Sequence, residues 1–210
     1  MEQVVGLSHL QRIANEARAR GSSGEGSADA AELAYLAGLA RGPEVRLIAE
    51  IGFNAGFSSY TFLEANPAVH VYSFDLGEHD YVTAAKNYID AMFPGRHTLI
   101  LGDSTQTVPA FQASNEVSSF DLVFIDGGHS YEVAKADLQN MRSLAGTDTV
   151  LVFDDLVPWK PWGEGPTLAW QEAIQAGFVD QVELVKDGTP VATIAPPGDR
   201  CWAVGRYRYP

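Results

Sequence analysis

The stretch Val45-Arg-Leu-Ile-Ala-Glu50-Ile-Gly52-Phe-Asn54-Ala-Gly56-Phe-Ser58 reads as a strand that runs into a tight turn and then opens a helix. Gly52 permits a turn that a side chain would obstruct, and Gly56 lets a ligand approach the backbone. The helix N-terminus near Ser58 offers free N–H groups to a carboxylate or phosphate. A dinucleotide-binding turn needs glycine at two further places, which Asn54 and Phe57 occupy here, so a nicotinamide cofactor fits poorly.

On either side of this turn, short apolar runs alternate with helical patterns. The runs are 45–51, 69–74, 98–101, 120–125 and 149–153, and helices are predicted over 58–64, 81–92, 105–111 and 131–144. Strands alternating with helices imply a parallel sheet built by crossover connections. Nearly every run ends beside an acid: Glu50, Asp75, Asp103 after Gly102, Asp126 and Asp154. Ligands of open parallel sheets bind at the carboxyl ends of the strands, so these acids would share the ligand edge. Beyond Trp159 the pattern predicts a helix over 167–176, a strand over 179–185, a turn at Asp187-Gly188, a run over 191–194 and a last strand over 201–207. Tight turns make that last strand antiparallel. Residues 1–43 read as an N-terminal helical cap: one apolar stripe through Leu10 and Ile13, a Gly21–Gly26 break that is a candidate lid, and a second helix N-capped by Ser27. Residues 44–210 form the main domain.

Composition bounds the function. The 210 residues are 46% hydrophobic and 20% charged, and 14 basic against 27 acidic side chains give a net charge of −13. A surface so acidic repels phosphate backbones and anionic lipid, so neither nucleic acid nor a membrane is an expected partner. The single cysteine, Cys201, permits no internal disulfide and no thiolate zinc site. With no signal-like or membrane-spanning apolar run, the expected location is the cytoplasm.

The glycine turn and its strand-end acids resemble the class I S-adenosylmethionine-dependent methyltransferases over roughly residues 45–155. The resemblance implies a Rossmann-like α/β fold: a doubly wound, mostly parallel seven-stranded sheet with a reversed C-terminal strand. It implies S-adenosylmethionine as cofactor, held by Glu50, Gly52, Asn54, Gly56 and Ser58 on the methionine side, Asp75 at the ribose, and Asp103 with Ser104 at the adenine, Asp126 lying alongside. Asn54 stands where many members have glycine. The catechol-type O-methyltransferases tolerate this, since their turn reads E-x-G-x-x-x-G-x-S, as Glu50 to Ser58 does. The plain alternative is that Asp75 and Asp103 are helix caps.

A second constellation joins Asp126-Gly-Gly-His129 to Asp154-Asp155. Acids gathered at one edge repel and raise one another's pKa unless a cation sits among them, and carboxylate oxygens suit Mg²⁺ or Mn²⁺ better than zinc. His129, three residues after Asp126, is a general base suited to neutral pH. The set resembles divalent-cation-dependent O-methyltransferases, whose ligands match Asp126, Asp154 and Asp155. Catechol-type members carry lysine as the base where this chain has His129, as macrolide-sugar O-methyltransferases do. The expected acceptor is therefore a small-molecule hydroxyl on a sugar, phenol or natural product. Two other readings stay open: a metal-independent methyltransferase of the same fold, with the acids as caps, and a non-catalytic ligand-binding protein. Trp159 and Trp162 either wall the acceptor pocket or pack over the core edge, and the N-terminal cap is a candidate surface for a homo-oligomer.

Overall fold

The computed structural model describes residues 2–20, 29–114 and 116–209. The candidate lid and Ser27 lie outside them. Seven helices are α1 (Glu2–Ala19), α2 (Ala30–Ala40), α3 (Phe57–Ala65), α4 (Tyr81–Met92), α5 (Ser104–Ser114), α6 (Tyr131–Met141) and α7 (Glu164–Gln175). Eight strands are β1 (Leu47–Ile51), β2 (His70–Asp75), β3 (His97–Leu101), β4 (Phe120–Ile125), β5 (Ala145–Phe153), β6 (Val179–Lys186), β7 (Thr189–Val191) and β8 (Cys201–Tyr207).

They form one sheet in the order β3-β2-β1-β4-β5-β8-β6-β7. The first five strands are mutually parallel, whereas β8 is antiparallel to both β5 and β6. The doubly wound fold with a reversed C-terminal strand is therefore as expected. The strand count is eight rather than seven, because the Asp187-Gly188 turn sends Thr189–Val191 back along β6 as a three-residue edge strand. The run expected over 191–194 thus pairs earlier, at Thr189–Val191.

Strand periodicity divides the core into two layers. Ile48, Leu122, Phe124 and Val152 face one side, where they pack with Leu10, Leu36 and Phe62 of α1, α2 and α3. Ala49, Ile51, Val123, Leu151 and Phe153 face the other, against Leu138 of α6 and Trp170 of α7. In the cap, α1 packs on α3 and α4, and α2 packs on α3. The N-cap of α2 is Asp29, whose Oδ1 accepts from the Glu32 N–H at 2.8 Å. Among the described residues no helix is long and apolar enough to cross a membrane.

The backbone ladder continues past the strand ends and so fixes the acids that follow. The Asp126 N–H donates to the Ile51 carbonyl at 2.9 Å, and the Asp154 N–H donates to the Ile125 carbonyl at 3.0 Å. Gly52 adopts φ +93°, and a Cβ there would lie 1.8 Å from the Asp126 carbonyl oxygen. Only glycine lets the first turn come this close to the fourth strand.

Candidate active site

At the carboxyl end of the sheet, a cavity of about 770 Å³ runs across the β1–β4 boundary, from Asp75 and Ser104 at one end to His129, Asp155 and Trp162 at the other. Its size suits a bound small molecule with a second one beside it. Gly52, Asn54, Asp75, Ser104, Asp126, His129 and Asp155 all line it.

Other expected residues stand behind this wall. Glu50 shares strand parity with Ile48 and turns inward. Fully buried, it accepts hydrogen bonds from the Ser59 hydroxyl and, at 2.6 Å, from the Ser73 hydroxyl. Burial pushes Glu50 up to about 7, against the pull of hydrogen bonds from Ser58, Ser59 and Ser73. The same network reaches His97, whose Nε2 is 2.9 Å from the Ser73 hydroxyl. Burial, then the positive charge of Lys86, brings His97 down to about 3, so this ring stays neutral. Gly56 is the left-handed N-cap of α3, at φ 77°. Glu50, Gly56 and Ser58 thus support the glycine turn from below.

Asp75 is held on the cavity wall by backbone donors: its Oδ2 accepts from the Asn54 N–H at 2.8 Å and its Oδ1 from the Gly77 N–H at 2.7 Å. Asp103 is engaged as a helix cap, its Oδ1 accepting from the Thr105 N–H at 2.9 Å and the Thr105 hydroxyl at 2.8 Å. Of that pair, Ser104 is the one on the cavity wall.

The acids at the other end form two overlapping groups. Ligand atoms of Asp126, His129 and Asp155 lie within 4.8 Å of one another, and so do those of Glu32, Asp126 and Asp154. Register explains the second group: Phe124 pairs with Val152, so Asp126 and Asp154, two residues on, extend from neighbouring strands toward the face that α2 covers. Asp155 departs from this parity. Its backbone is left-handed, φ 60°, and its Oδ2 meets the His129 Nε2 at 2.8 Å.

The electrostatics are severe. Asp154, Asp155 and Glu32 are buried, and Asp126 is half-buried on the cavity wall. Burial raises Asp126 well above the carboxylate range, and Asp154 and Asp155 raise it further. Burial followed by Glu32 and Asp155 does the same to Asp154. Burial and Asp126 push Glu32 up to about 7. Glu32 and Asp154 lie within hydrogen-bond reach of each other, and among the described residues no other side chain donates to either carboxyl. Arg200 is the nearby compensating cation: its Nη1 is 4.0 Å from Asp155 Oδ1. The four carboxylates hold its guanidinium above its usual value in spite of burial. Carboxylate oxygens that converge with so few hydrogen-bond donors fit a hard divalent cation such as Mg²⁺ or Mn²⁺.

Glu32 and Arg200 are the site residues that the sequence reading missed. Glu32 was findable, because it occupies an inward position of α2 together with Leu33, Leu36, Ala37 and Ala40. Trp162 lines the cavity, while Trp159 packs over the core edge and donates its indole N–H to the Gly198 carbonyl at 3.0 Å. Phe53 stacks on His97 and is buried with Phe57 in the cap-side core.

Comparison with known proteins places these features. Residues 49–156, just over half of the chain, match a family model described as a methyltransferase domain. Among solved structures, an O-methyltransferase from Bacillus cereus in complex with SAH superposes with TM-score 0.75 at 16% identity, over 96% of this chain and 91% of that one. The O-methyltransferase TomG from Streptomyces achromogenes, in complex with SAM, gives TM-score 0.73 at 19% identity, over 94% and 88%. CalS11, a TDP-rhamnose 3′-O-methyltransferase of calicheamicin biosynthesis, gives 0.62 at 22% identity, over 81% and 77%. At these identities the likeness is one of fold. No curated protein matches the chain.

Proposed function

Because the chain belongs to the methyltransferase-domain family, we propose that it is an S-adenosylmethionine-dependent O-methyltransferase that acts on a small-molecule hydroxyl, with a divalent cation at the acid cluster and His129 as general base. The observation that carries this reading is the meeting of Asp126, His129 and Asp155 on the wall of the same cavity that Gly52, Asn54 and Asp75 line.

S-adenosylmethionine supplies an electrophilic methyl group on a sulfonium. Asp75, pre-oriented by the Asn54 and Gly77 amides, is the acceptor for the ribose hydroxyls. Leu76, exposed beside it on the cavity wall, offers apolar surface to the base. At the other end, Asp126, Asp154 and Asp155 would hold Mg²⁺ or Mn²⁺. A cation there supplies Lewis acidity that lowers the pKa of the acceptor hydroxyl and fixes its position.

The protein must still take the proton that methyl transfer releases. With His129 Nε2–H donating to Asp155 Oδ2, the basic nitrogen of the imidazole is Nδ1. Asp155 then orients the ring and stabilises the imidazolium, a role that does not require it to become protonated itself. Trp162 and Lys160, also on the wall, border the acceptor end. That CalS11 and TomG are O-methyltransferases supports oxygen as the methylated atom, and the histidine base favours an aliphatic hydroxyl such as that of a sugar.

The test is methyl transfer from labelled S-adenosylmethionine to a panel of phenols, sugars and hydroxylated polyketides, with Mg²⁺, with Mn²⁺ and with chelator. Turnover that requires a divalent cation supports the reading, and failure to bind S-adenosylmethionine overturns it. Arg200, 4.0 Å from Asp155, favours a second reading in which its guanidinium compensates the acids and no metal takes part. In that case turnover is indifferent to chelator.

A further inference from the structure

Glu32 is the acid at this centre that comes from the N-terminal cap rather than from a strand end. It sits in the first turn of α2, where the Asp29 side chain secures its N–H. The residue is 2% exposed, and among the described residues no side chain but Asp154 beside it is within reach to donate to its carboxyl. A carboxylate buried this way costs far more than the neighbouring alanines and leucines of α2 unless something positive meets it. Arg200 contributes a single positive charge that four carboxylates share, Glu32 first among them. With all four ionised, three negative charges are left over, and a divalent cation would reduce them to one. The ligand atoms of Glu32, Asp126 and Asp154 already lie within 4.8 Å of one another, close enough to share one ion.

We propose that Glu32 is a ligand of the cation site, donated by the N-terminal cap, so that binding the cation fastens helix α2 against the sheet edge. This rests on the cation-dependent reading above and adds to it a link between metal loading and the cap. The set of Asp126, Asp154 and Glu32 joins α2 to β4 and β5 through one ion.

The experiment uses the full chain and Mn²⁺ alone as the probe. Titration calorimetry on wild type and Glu32→Gln measures affinity, and hydrogen exchange over residues 30–40 with and without Mn²⁺ reads the cap. Wild type is expected to bind Mn²⁺ and to protect the α2 amides on doing so. Glu32→Gln should bind at least tenfold more weakly and lose that protection, while melting in chelator no lower than wild type, because the amide removes repulsion. A Glu32 that merely shares a proton with Asp154 predicts the opposite: unchanged Mn²⁺ affinity in Glu32→Gln, which overturns the proposal and leaves the cation mechanism standing. Unchanged α2 exchange on adding Mn²⁺ to wild type overturns the clamp. No Mn²⁺ binding by wild type brings down both the proposal and the cation mechanism. Should Glu32→Gln fail to fold, Glu32→Asp carries the test: a severalfold loss of affinity supports the role, and wild-type affinity overturns it.

Discussion

His129 Nε2 lies 2.8 Å from Asp155 Oδ2, and Asp155 makes this contact from a left-handed backbone at φ 60°. A residue other than glycine held there costs on the order of 1 kcal/mol, and such strain persists where the surroundings fix it. The strained turn takes Asp155 off the face that strand parity would give it and sets it against the histidine, within reach of Asp126. One Asp-Asp dipeptide thereby serves two sides of the site: Asp154 faces the cap with Glu32, and Asp155 faces the cavity with His129.

The first prediction concerns the histidine. His129 is partly open to the cavity, with a side chain 40% exposed, so removing it should leave the fold intact. His129→Ala should lower kcat by about 10²–10⁴-fold, the usual worth of a positioned base. Its affinity for S-adenosylmethionine, measured by calorimetry, should stay within about twofold of wild type, because the Asp75 and glycine-turn contacts lie at the far end of the cavity. Equal losses in cofactor binding and turnover would argue that the ring packs the site and does not take a proton.

Asp155 separates backbone strain from charge. Asparagine tolerates the left-handed region and its side-chain oxygen still accepts from the His129 Nε2–H. Asp155→Asn should therefore melt within a few degrees of wild type and keep measurable turnover. Asp155→Ala loses both the acceptor and the ease with which aspartate adopts φ > 0, so it should fall further in both melting temperature and kcat. Comparing the two variants by calorimetry and single-turnover methyl transfer checks the order. A more active alanine variant would show that the His129–Asp155 contact has no part in catalysis.

How far the site was readable from sequence depends on which contacts are local. An apolar run followed by an acid marks a strand end wherever it occurs, so Asp75, Asp126 and Asp154 are legible as neighbours on one edge from sequence alone. Side-chain direction was harder to read. Glu50 belongs to the same glycine turn as Gly52, yet strand parity turns it inward to Ser59 and Ser73. Asp103 sits at a strand end and is satisfied as a helix cap instead. Periodicity could set Glu32 on the inward side of α2, but not what it meets there, because its partners Asp126 and Asp154 come from strands far along the chain. Arg200 was hidden for a similar reason: it precedes β8, and only the insertion of that strand beside β5 brings the arginine to Asp155.

A third prediction follows from Glu50, which is fully buried and raised from 4.5 to about 7, chiefly by burial. The unfolded chain gives up this proton near pH 4.5, whereas the folded protein keeps it until about pH 7. Stability therefore falls as pH rises through that window and levels off above it. Glu50→Gln has no proton to release, and its amide oxygen still accepts from the two serine hydroxyls. Urea unfolding at pH 5 and pH 8 should show the variant gaining on wild type at the higher pH. An unchanged difference between the two pH values would mean that another group carries the dependence.

Asp126 yields the last prediction, because it belongs to both groups of convergent ligands. Burial first, then Asp154 and Asp155, raise its carboxyl well above 3.8, so the folded state holds a proton that the unfolded state releases. The resulting penalty appears once the pH passes the ordinary carboxylate range, and it grows until the folded group ionises. Asp126→Asn escapes that penalty. In chelator at pH 8 the variant should melt above wild type, and the gap should narrow toward pH 4. Adding Mg²⁺ or Mn²⁺ should reverse the order, since wild type gains stability by binding the ion and the variant lacks the carboxylate common to both groups. Methyl transfer should fall with it, by more than the loss seen in Asp155→Asn, because among the described residues Asp126 alone belongs to both groups of convergent ligands. A variant that keeps the full cation-induced rise in melting temperature would remove Asp126 from the site.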